Sequence, residues 1–215
     1  MLDDEMINYA LKKFIDDNEE LINTYQWAEL YEKAAATGFG TMRKFTELLM
    51  AEGIDPLAEL DYIPRNYFYR ASIATFVIPK HIKRIDWHAF DECYNLTNIT
   101  IPNGLKRIGE GAFCWCENLT SVTIPNSVTE IGKAAFAYCS ELERINIPNG
   151  VTSIGERTFR KCYELKKIVL PDSVTNIAKS AFQDGEKNLD ITICASKGSY
   201  AEKFANENDF SFEEI

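Results

Sequence analysis

Between residues 78 and 193, apolar and polar positions return in the same order every 23 residues. Each period can be written L-x-x-I-x-I-P-x-x-V-x-x-I-G-x-x-A-F-x-x-C. A phenylalanine keeps this period at Phe90, Phe113, Phe136, Phe159 and Phe182, and a cysteine keeps it at Cys93, Cys116, Cys139 and Cys162. A constant period of about 20 to 29 residues is typical of solenoids in which each repeat buries its apolar face against its neighbours.

The pattern within one period predicts the elements of one coil. The two isoleucines of L-x-x-I-x-I alternate with outward residues, which indicates a short strand, and proline ends it because proline cannot donate to the next ladder. A second aliphatic pair, such as Val128 and Ile131, returns the chain along the opposite side. The glycines that follow at Gly109, Gly132 and Gly155 are expected to allow a turn that other residues resist. Ala-Phe then forms a short helical turn, and like residues stack about 4.8 Å apart in internal columns.

These repeats resemble the BspA-like leucine-rich-repeat family, also described as leucine-rich-repeat type 5. The Ile-Pro steps, the Ile-Gly pairs and the Ala-Phe-x-x-Cys boxes of residues 78–182 carry the resemblance, and residues 197–205 resemble the family's terminal helix. The resemblance implies a right-handed, strand-lined solenoid, and members that are mostly surface adhesion or interaction proteins, often of bacteria and protists. We therefore expect an α+β fold: about five repeat-length coils with an N-terminal α-helical cap and a short C-terminal helix cap.

The segments outside the repeats are expected to cover the two open ends of the solenoid. Helical spacing of apolar residues predicts helices over residues 6–22, 26–36 and 41–53, and a short one from Pro56 to Leu60. Residues 63–78 are interpreted as a shortened first coil, in which Tyr67 and Phe76 stand one full repeat before Phe90 and Ile99. The predicted divisions are residues 1–62 for the N-terminal cap, 63–195 for the solenoid and 196–215 for the C-terminal cap. Partner docking by the N-terminal helices is the alternative to capping.

After Phe182 the repeat pattern decays, although Ile191 and Ile193 still occupy the strand positions. Ser199 is expected to cap a short amphipathic helix that turns Tyr200 and Phe204 inward. Phe210 and Phe212 then predict a brief closing strand.

The net charge is −10, and it is uneven: −7 over residues 1–75, zero over 76–195 and −3 over 196–215. This balance disfavours non-specific binding to nucleic acid or to an anionic membrane, because both require a positive surface. The start of the chain lacks a basic segment followed by an apolar one, and no apolar run approaches the ~18 residues that span a bilayer. We therefore expect a cytoplasmic protein, or a cell-surface protein if an export signal has been removed.

Six cysteines raise the question of a metal site. Four of them occupy one position per coil rather than the paired spacing of zinc ligands, so reduced thiols that behave as small hydrophobic groups are expected, with no metal or cofactor. Cys114 and Cys194 lie off this column and are the candidates for reactivity. His81 and His88 occupy different repeat positions, and an enzyme would require a pocket with carboxylates around His88.

The candidate binding surface consists of the outward positions of the predicted strands. These positions are Asn98, Thr100, Ser121, Thr123, Arg144, Asn146, Lys167, Val169, Asp190 and Thr192. They are mostly polar, and the middle of the series becomes basic. The sequence thus predicts a non-enzymatic scaffold that binds a protein partner through its strand-lined face. A surface adhesin or carbohydrate-binding module is the first alternative, and an unrecognised enzyme is the second.

Overall fold

The computed structural model describes residues 13–15, 17–18, 56–58 and 60–215, and in the last range the chain winds into a solenoid with two stacks of short parallel strands. We call the first the Ile-Gly stack: β1 (Tyr62–Ile63), β3 (Arg84–Ile85), β5 (Arg107–Ile108), β7 (Glu130–Ile131), β9 (Ser153–Ile154) and β11 (Asn176–Ile177). We call the second the Ile-Pro stack: β2 (Thr75–Val77), β4 (Asn98–Thr100), β6 (Ser121–Val122), β8 (Arg144–Ile145), β10 (Lys167–Val169), β14 (Thr192–Ala195) and β15 (Ser211–Glu214).

Both stacks pair equivalent residues of successive coils. In the Ile-Gly stack Ile85 pairs with Ile108 and Ile108 with Ile131, and in the Ile-Pro stack Val122 pairs with Ile145. The Ile-Pro stack was predicted, whereas strands in the returning segment were not. The described part of the chain makes about seven turns, so the expected number of about five coils is too low.

The first coil begins at β1 and has a different register from the one expected. Ile63 pairs with Ile85, so Ile63 occupies the Ile-Gly position although a proline follows it. The ring of Phe68, rather than that of Tyr67, lies over Phe90, with centroids 4.9 Å apart and planes at 19°. Phe76 pairs with Ile99 as predicted. The first coil is thus one residue shorter between the Ile-Gly strands than the repeat suggests.

The predicted internal columns are present. The rings of Phe90, Phe113 and Phe136 are stacked, with centroid separations of 5.1 and 5.4 Å, and the column continues through Phe159 to Phe182 at 6.0 and 5.4 Å. The four column cysteines are fully buried and free. Each thiol donates to the carbonyl oxygen of the phenylalanine one coil earlier: Cys93 to Phe68, Cys116 to Phe90, Cys139 to Phe113 and Cys162 to Phe136, at 3.0 to 3.2 Å. The thiol therefore serves as a small apolar group and a donor for a buried carbonyl.

The glycines of the Ile-Gly stack are explained by close packing rather than by the turn that was expected. A Cβ on Gly132 would lie 2.4 Å from the backbone nitrogen of Glu110, and one on Gly109 would lie 2.8 Å from the carbonyl of Ile85. Positive φ angles occur elsewhere in four successive coils, at His88, Gly111, Ala134 and Arg157 and, four residues later, at Glu92, Trp115, Tyr138 and Lys161. The backbone amides of several of these residues donate to carbonyl oxygens of the next coil, as the amide of Tyr138 does to Arg160 at 2.7 Å. These hydrogen bonds hold the residues with positive φ in their strained conformation.

The C-terminal end is closed by a hairpin, a helix and a strand. The hairpin pairs β12 (Gln183–Asp184) with β13 (Lys187–Asn188), and the helix spans Tyr200–Glu207. Ser199 caps the helix as predicted, because its hydroxyl accepts from the amide of Glu202 at 3.2 Å. Phe204 is buried, but Tyr200 is 40% exposed, so the expectation that it turns inward is wrong. Strand β15 follows at the predicted place and pairs with β14.

At the N-terminal end, the predicted helices over residues 6–22, 26–36 and 41–53 lie outside the described residues, apart from residues 13–15 and 17–18. Residues 13–15 are helical, and Phe14 is buried in the same apolar cluster as Leu57 and Leu60. The short helix expected from Pro56 is a single 3-10 turn, Pro56–Ala58. Apolar contact with the first coil is what a cap requires, and the divisions at residues 62 and 195 stay predictions.

Candidate functional site

Two adjoining grooves lie along the outer surface of the Ile-Pro stack. The larger has a volume of about 440 Å³ and is lined by Ser121, Val122, Thr123, Glu143, Arg144, Ile145, Asn146, Lys167 and Val169. The smaller has a volume of about 350 Å³ and is lined by Asn98, Ile99, Thr100, Ile101, Asn103, Ser121, Thr123 and Pro125. Because the two grooves share Ser121 and Thr123, they form one surface across four successive coils.

The strand alternation that places these residues is the predicted one. In β4 and in β10, an exposed residue, a buried isoleucine and a second exposed residue follow one another. Eight of the ten predicted binding residues line the grooves, namely those between Asn98 and Val169. The remaining two belong to the last coil.

In the last coil the register differs from the expected one. Thr192 pairs with Lys167 and Cys194 pairs with Val169, so the equivalent positions are further apart in sequence than one repeat. Thr192 therefore lies among the outward residues of the Ile-Pro stack, but at the position that was predicted for Asp190. Asp190 itself lies before the strand. The hairpin formed by β12 and β13 accounts for the extra residues. Cys194 is nonetheless buried, since Glu213 of β15 pairs beside it.

Two of the predicted binding residues have contacts within the fold. The side-chain amide of Asn146 accepts from the amide of Ile124 at 2.8 Å and donates to its carbonyl oxygen at 2.7 Å. The ammonium of Lys167 pairs with Glu213 at 2.5 Å. Asn146 thus replaces missing backbone bonds between neighbouring coils, and it is less available to a partner than its exposure suggests.

Burial raises the pKa of the thiols, and both histidines have polar contacts within the fold. Burial raises the pKa of Cys93 to about 12, and burial, with a smaller effect of Asp91, also raises the pKa of Cys114. Burial raises the pKa of Cys194 as well, so the interpretation of Cys114 and Cys194 as reactive thiols is not supported, because the thiolate is the nucleophile. Nδ1 of His88 lies 3.0 Å from Oδ2 of Asp91.

Over the residues that the structure covers, no group of three or more histidine, cysteine, aspartate or glutamate side chains has an arrangement that could hold a metal ion. Within the same part of the chain, no helix is both long and apolar enough to cross a membrane.

Sequence reasoning missed a set of exposed aromatic side chains away from the strand-lined face. Trp87 is 49% exposed, and Tyr94, Trp115 and Tyr163 are also exposed. The rings of Trp115 and Tyr138 are stacked with centroids 3.9 Å apart. The sequence could have indicated them, because these aromatics stand at repeat positions where other coils have polar residues.

Stacked coils that keep a 23-residue period from Phe90 to Phe182, internal phenylalanine and cysteine columns and a grooved strand face define this protein as a leucine-rich-repeat solenoid. The chain belongs to the BspA-type leucine-rich repeat family, whose model matches residues 61–189 in six copies. No curated protein matches the chain.

Among solved structures, the chain is similar to a T. pallidum leucine-rich repeat protein, with 23% identity and a TM-score of 0.52 over 71% of this chain and 78% of that one. It is also similar to a leucine-rich repeat protein from Eubacterium ventriosum, with 29% identity and a TM-score of 0.52 over 66% of this chain and 36% of that one. The chain therefore spans about a third of the second protein. Both similarities agree with the strand-lined solenoid described above.

Proposed function

We propose that this protein is a non-enzymatic interaction module that binds a protein partner through the grooved face of the Ile-Pro stack. The observation that carries the proposal is the pair of adjoining grooves, which together extend across four coils and are lined by outward residues of successive strands. Extended surfaces of this kind are the usual recognition surfaces of solenoids.

The chemistry of the surface favours a polar partner segment. Hydroxyl and amide groups line the groove at β4 and β6, and Arg144 adds a cation at β8, beside the exposed apolar side chain of Val169. A partner that places carbonyl or carboxylate acceptors over Arg144 and a small apolar group over Val169 would satisfy both. Thr123 lies at the centre of the surface because both grooves include it.

The test is a comparison of proteins captured from a lysate of the native organism by three versions of the chain. The first is the natural chain, the second carries Thr123→Glu and Arg144→Glu, and the third carries Lys179→Glu and Lys187→Gln, so that the second and third both lower the net charge by three. Lys179 and Lys187 are exposed and lie outside both grooves, so the third version controls for the change in net charge.

We expect at least one protein to be captured by the natural chain and by the control, and to be lost with the groove variant. Titration of that protein should show binding at least about ten-fold weaker for the groove variant, since a charge-assisted hydrogen bond is replaced by a repulsive contact. Identical sets of captured proteins and identical affinities for all three versions would show that the partner binds elsewhere.

A further inference from the structure

A separate cavity of about 290 Å³ lies beside the Ile-Gly stack, on a different surface from the grooves. It is lined by Arg65, Asp86, Trp87 and Arg107. Arg65 follows β1, Asp86 and Trp87 follow β3, and Arg107 belongs to β5, so three successive coils contribute one or two side chains each.

Trp87 is the side chain that the fold itself does not require. Its position, two residues after the isoleucine of the Ile-Gly stack, is taken in the other coils by Arg65, Glu110, Lys133, Glu156 and Lys179. These are all long charged side chains, and yet Trp87 holds a large apolar ring that is 49% exposed. An indole that departs from a charged row and remains in contact with solvent is typical of a binding surface rather than of a core.

Arg65 precedes Trp87 in this row and Glu110 follows it, whereas Arg107 is one coil further on and pairs with Arg84. The guanidinium carbon of Arg65 is 5.9 Å from the centroid of the Trp87 ring, which is at the outer limit of a cation–π contact. Little interaction energy is therefore lost when this guanidinium turns toward a ligand. Arg107 is 3.3 Å from Glu130, in an ion pair whose carboxylate is half exposed and which contributes little to stability.

The charges around the cavity are suited to a ligand with one negative charge. Two guanidinium groups and the Asp86 carboxylate line it, which leaves one net positive charge. One oxygen of Asp86 accepts from Arg84 at 2.9 Å, and a carboxylate retains further acceptor sites for hydroxyl donors. A doubly charged phosphate exceeds this single positive charge, and a run of acidic side chains would place carboxylates against Asp86.

We propose that this cavity binds a carboxylated sugar ring, that is, a uronic acid residue of an acidic glycan. The apolar C–H face of the ring would lie on Trp87, its carboxylate would pair with Arg65 and Arg107, and a ring hydroxyl would donate to Asp86. Each of the four lining side chains then has a complementary group on one small ligand.

The test uses the full chain and two ligands that differ at a single carbon atom: methyl β-D-glucuronide and methyl β-D-glucoside. Saturation-transfer NMR at millimolar ligand should show binding of the glucuronide, and roughly ten-fold weaker binding of the glucoside, which lacks the carboxylate. Absence of glucuronide binding, or equal binding of the two sugars, would overturn the proposal.

Two variants locate the site. Trp87→Lys introduces a residue that the same position holds in Lys133 and Lys179, and Arg65→Gln removes one guanidinium that lies at the surface. Both should weaken glucuronide binding roughly ten-fold or more, whereas Lys133→Gln, in the same row two coils further on, should leave it unchanged. If Trp87→Lys does not show the thermal unfolding transition of the natural chain, Arg65→Gln decides the matter alone.

A hexaglutamate peptide serves as the competing ligand. If the glucuronide binds and the peptide does not displace it from the natural chain, the cavity selects the sugar ring as proposed. If the peptide binds with dependence on Arg65 and Trp87 and the glucuronide does not, the cavity is a peptide site and the proposal is wrong.

Discussion

At the glycines that follow the isoleucines of the Ile-Gly stack, the preceding coil decides whether a side chain can be accommodated. A Cβ on Gly132 would approach backbone atoms of Glu110 and Gly109 at 2.4 and 2.6 Å, which is closer than carbon atoms pack. A Cβ on Gly155 would meet the side chain of Lys133 at 3.3 Å, and that side chain can move. The sequence shows a glycine at both positions, but only the structure shows that Gly132 is required by a backbone contact and that Gly155 is not.

Gly132→Ala should therefore destabilise the protein more than Gly155→Ala. The added methyl group forces two coils apart in the first case, with an expected loss of roughly 1–3 kcal/mol in the free energy of unfolding. In Gly155→Ala the Lys133 side chain can move aside, so the loss in the free energy of unfolding should be smaller. Urea denaturation of both variants measures the difference, and equal losses would contradict the role assigned to the coil-to-coil contact.

At the scale of elements, the two strand stacks differ in how far the sequence predicts them. The Ile-Pro strands were predicted because exposed and buried residues alternate over three positions, as in Asn98–Thr100. The Ile-Gly strands are two residues long in every coil, so no alternation develops and the pattern could not indicate a strand. The register of β14 could not be predicted either, because it depends on the hairpin around Gly185, which has no counterpart in the other coils.

Asn146 shows that a side chain can take the place of strand pairing within the Ile-Pro stack. Its amide bonds to both backbone groups of Ile124, whereas Val169 occupies the equivalent position one coil later. Asn146→Val should therefore fit the strand but leave the backbone groups of Ile124 without these partners, at a cost of about 1–3 kcal/mol. Thr123→Val, at the same position one coil earlier, should change stability by less than about 0.5 kcal/mol. Thermal unfolding measures both, and equal midpoints would refute the structural role of Asn146.

At the scale of the whole molecule, the periodic parts were predictable, as were the helix and the strand that close the C-terminal end, whereas the irregular first and last coils were not. The family, the buried columns and eight of the ten outward residues follow from one repeated pattern. The first coil was misaligned because it is one residue short, as the pairing of Ile63 with Ile85 shows. The cavity at Trp87 could not be predicted, since it depends on side chains from three separate coils meeting at one place on the surface.

The central claim is that the stacked phenylalanines join the coils into one cooperative unit. Phe136 is fully buried in the middle of this column, between Phe113 and Phe159. An aspartate there would place an unpaired carboxylate in the apolar interior at a cost of several kcal/mol. Tyr200→Asp makes the same kind of change at an exposed position and serves as the control.

Urea denaturation followed by circular dichroism tests this claim most directly. We expect Phe136→Asp to abolish the single cooperative transition and Tyr200→Asp to retain it. A Phe136→Asp protein that unfolds with the midpoint and slope of the natural chain would contradict the account.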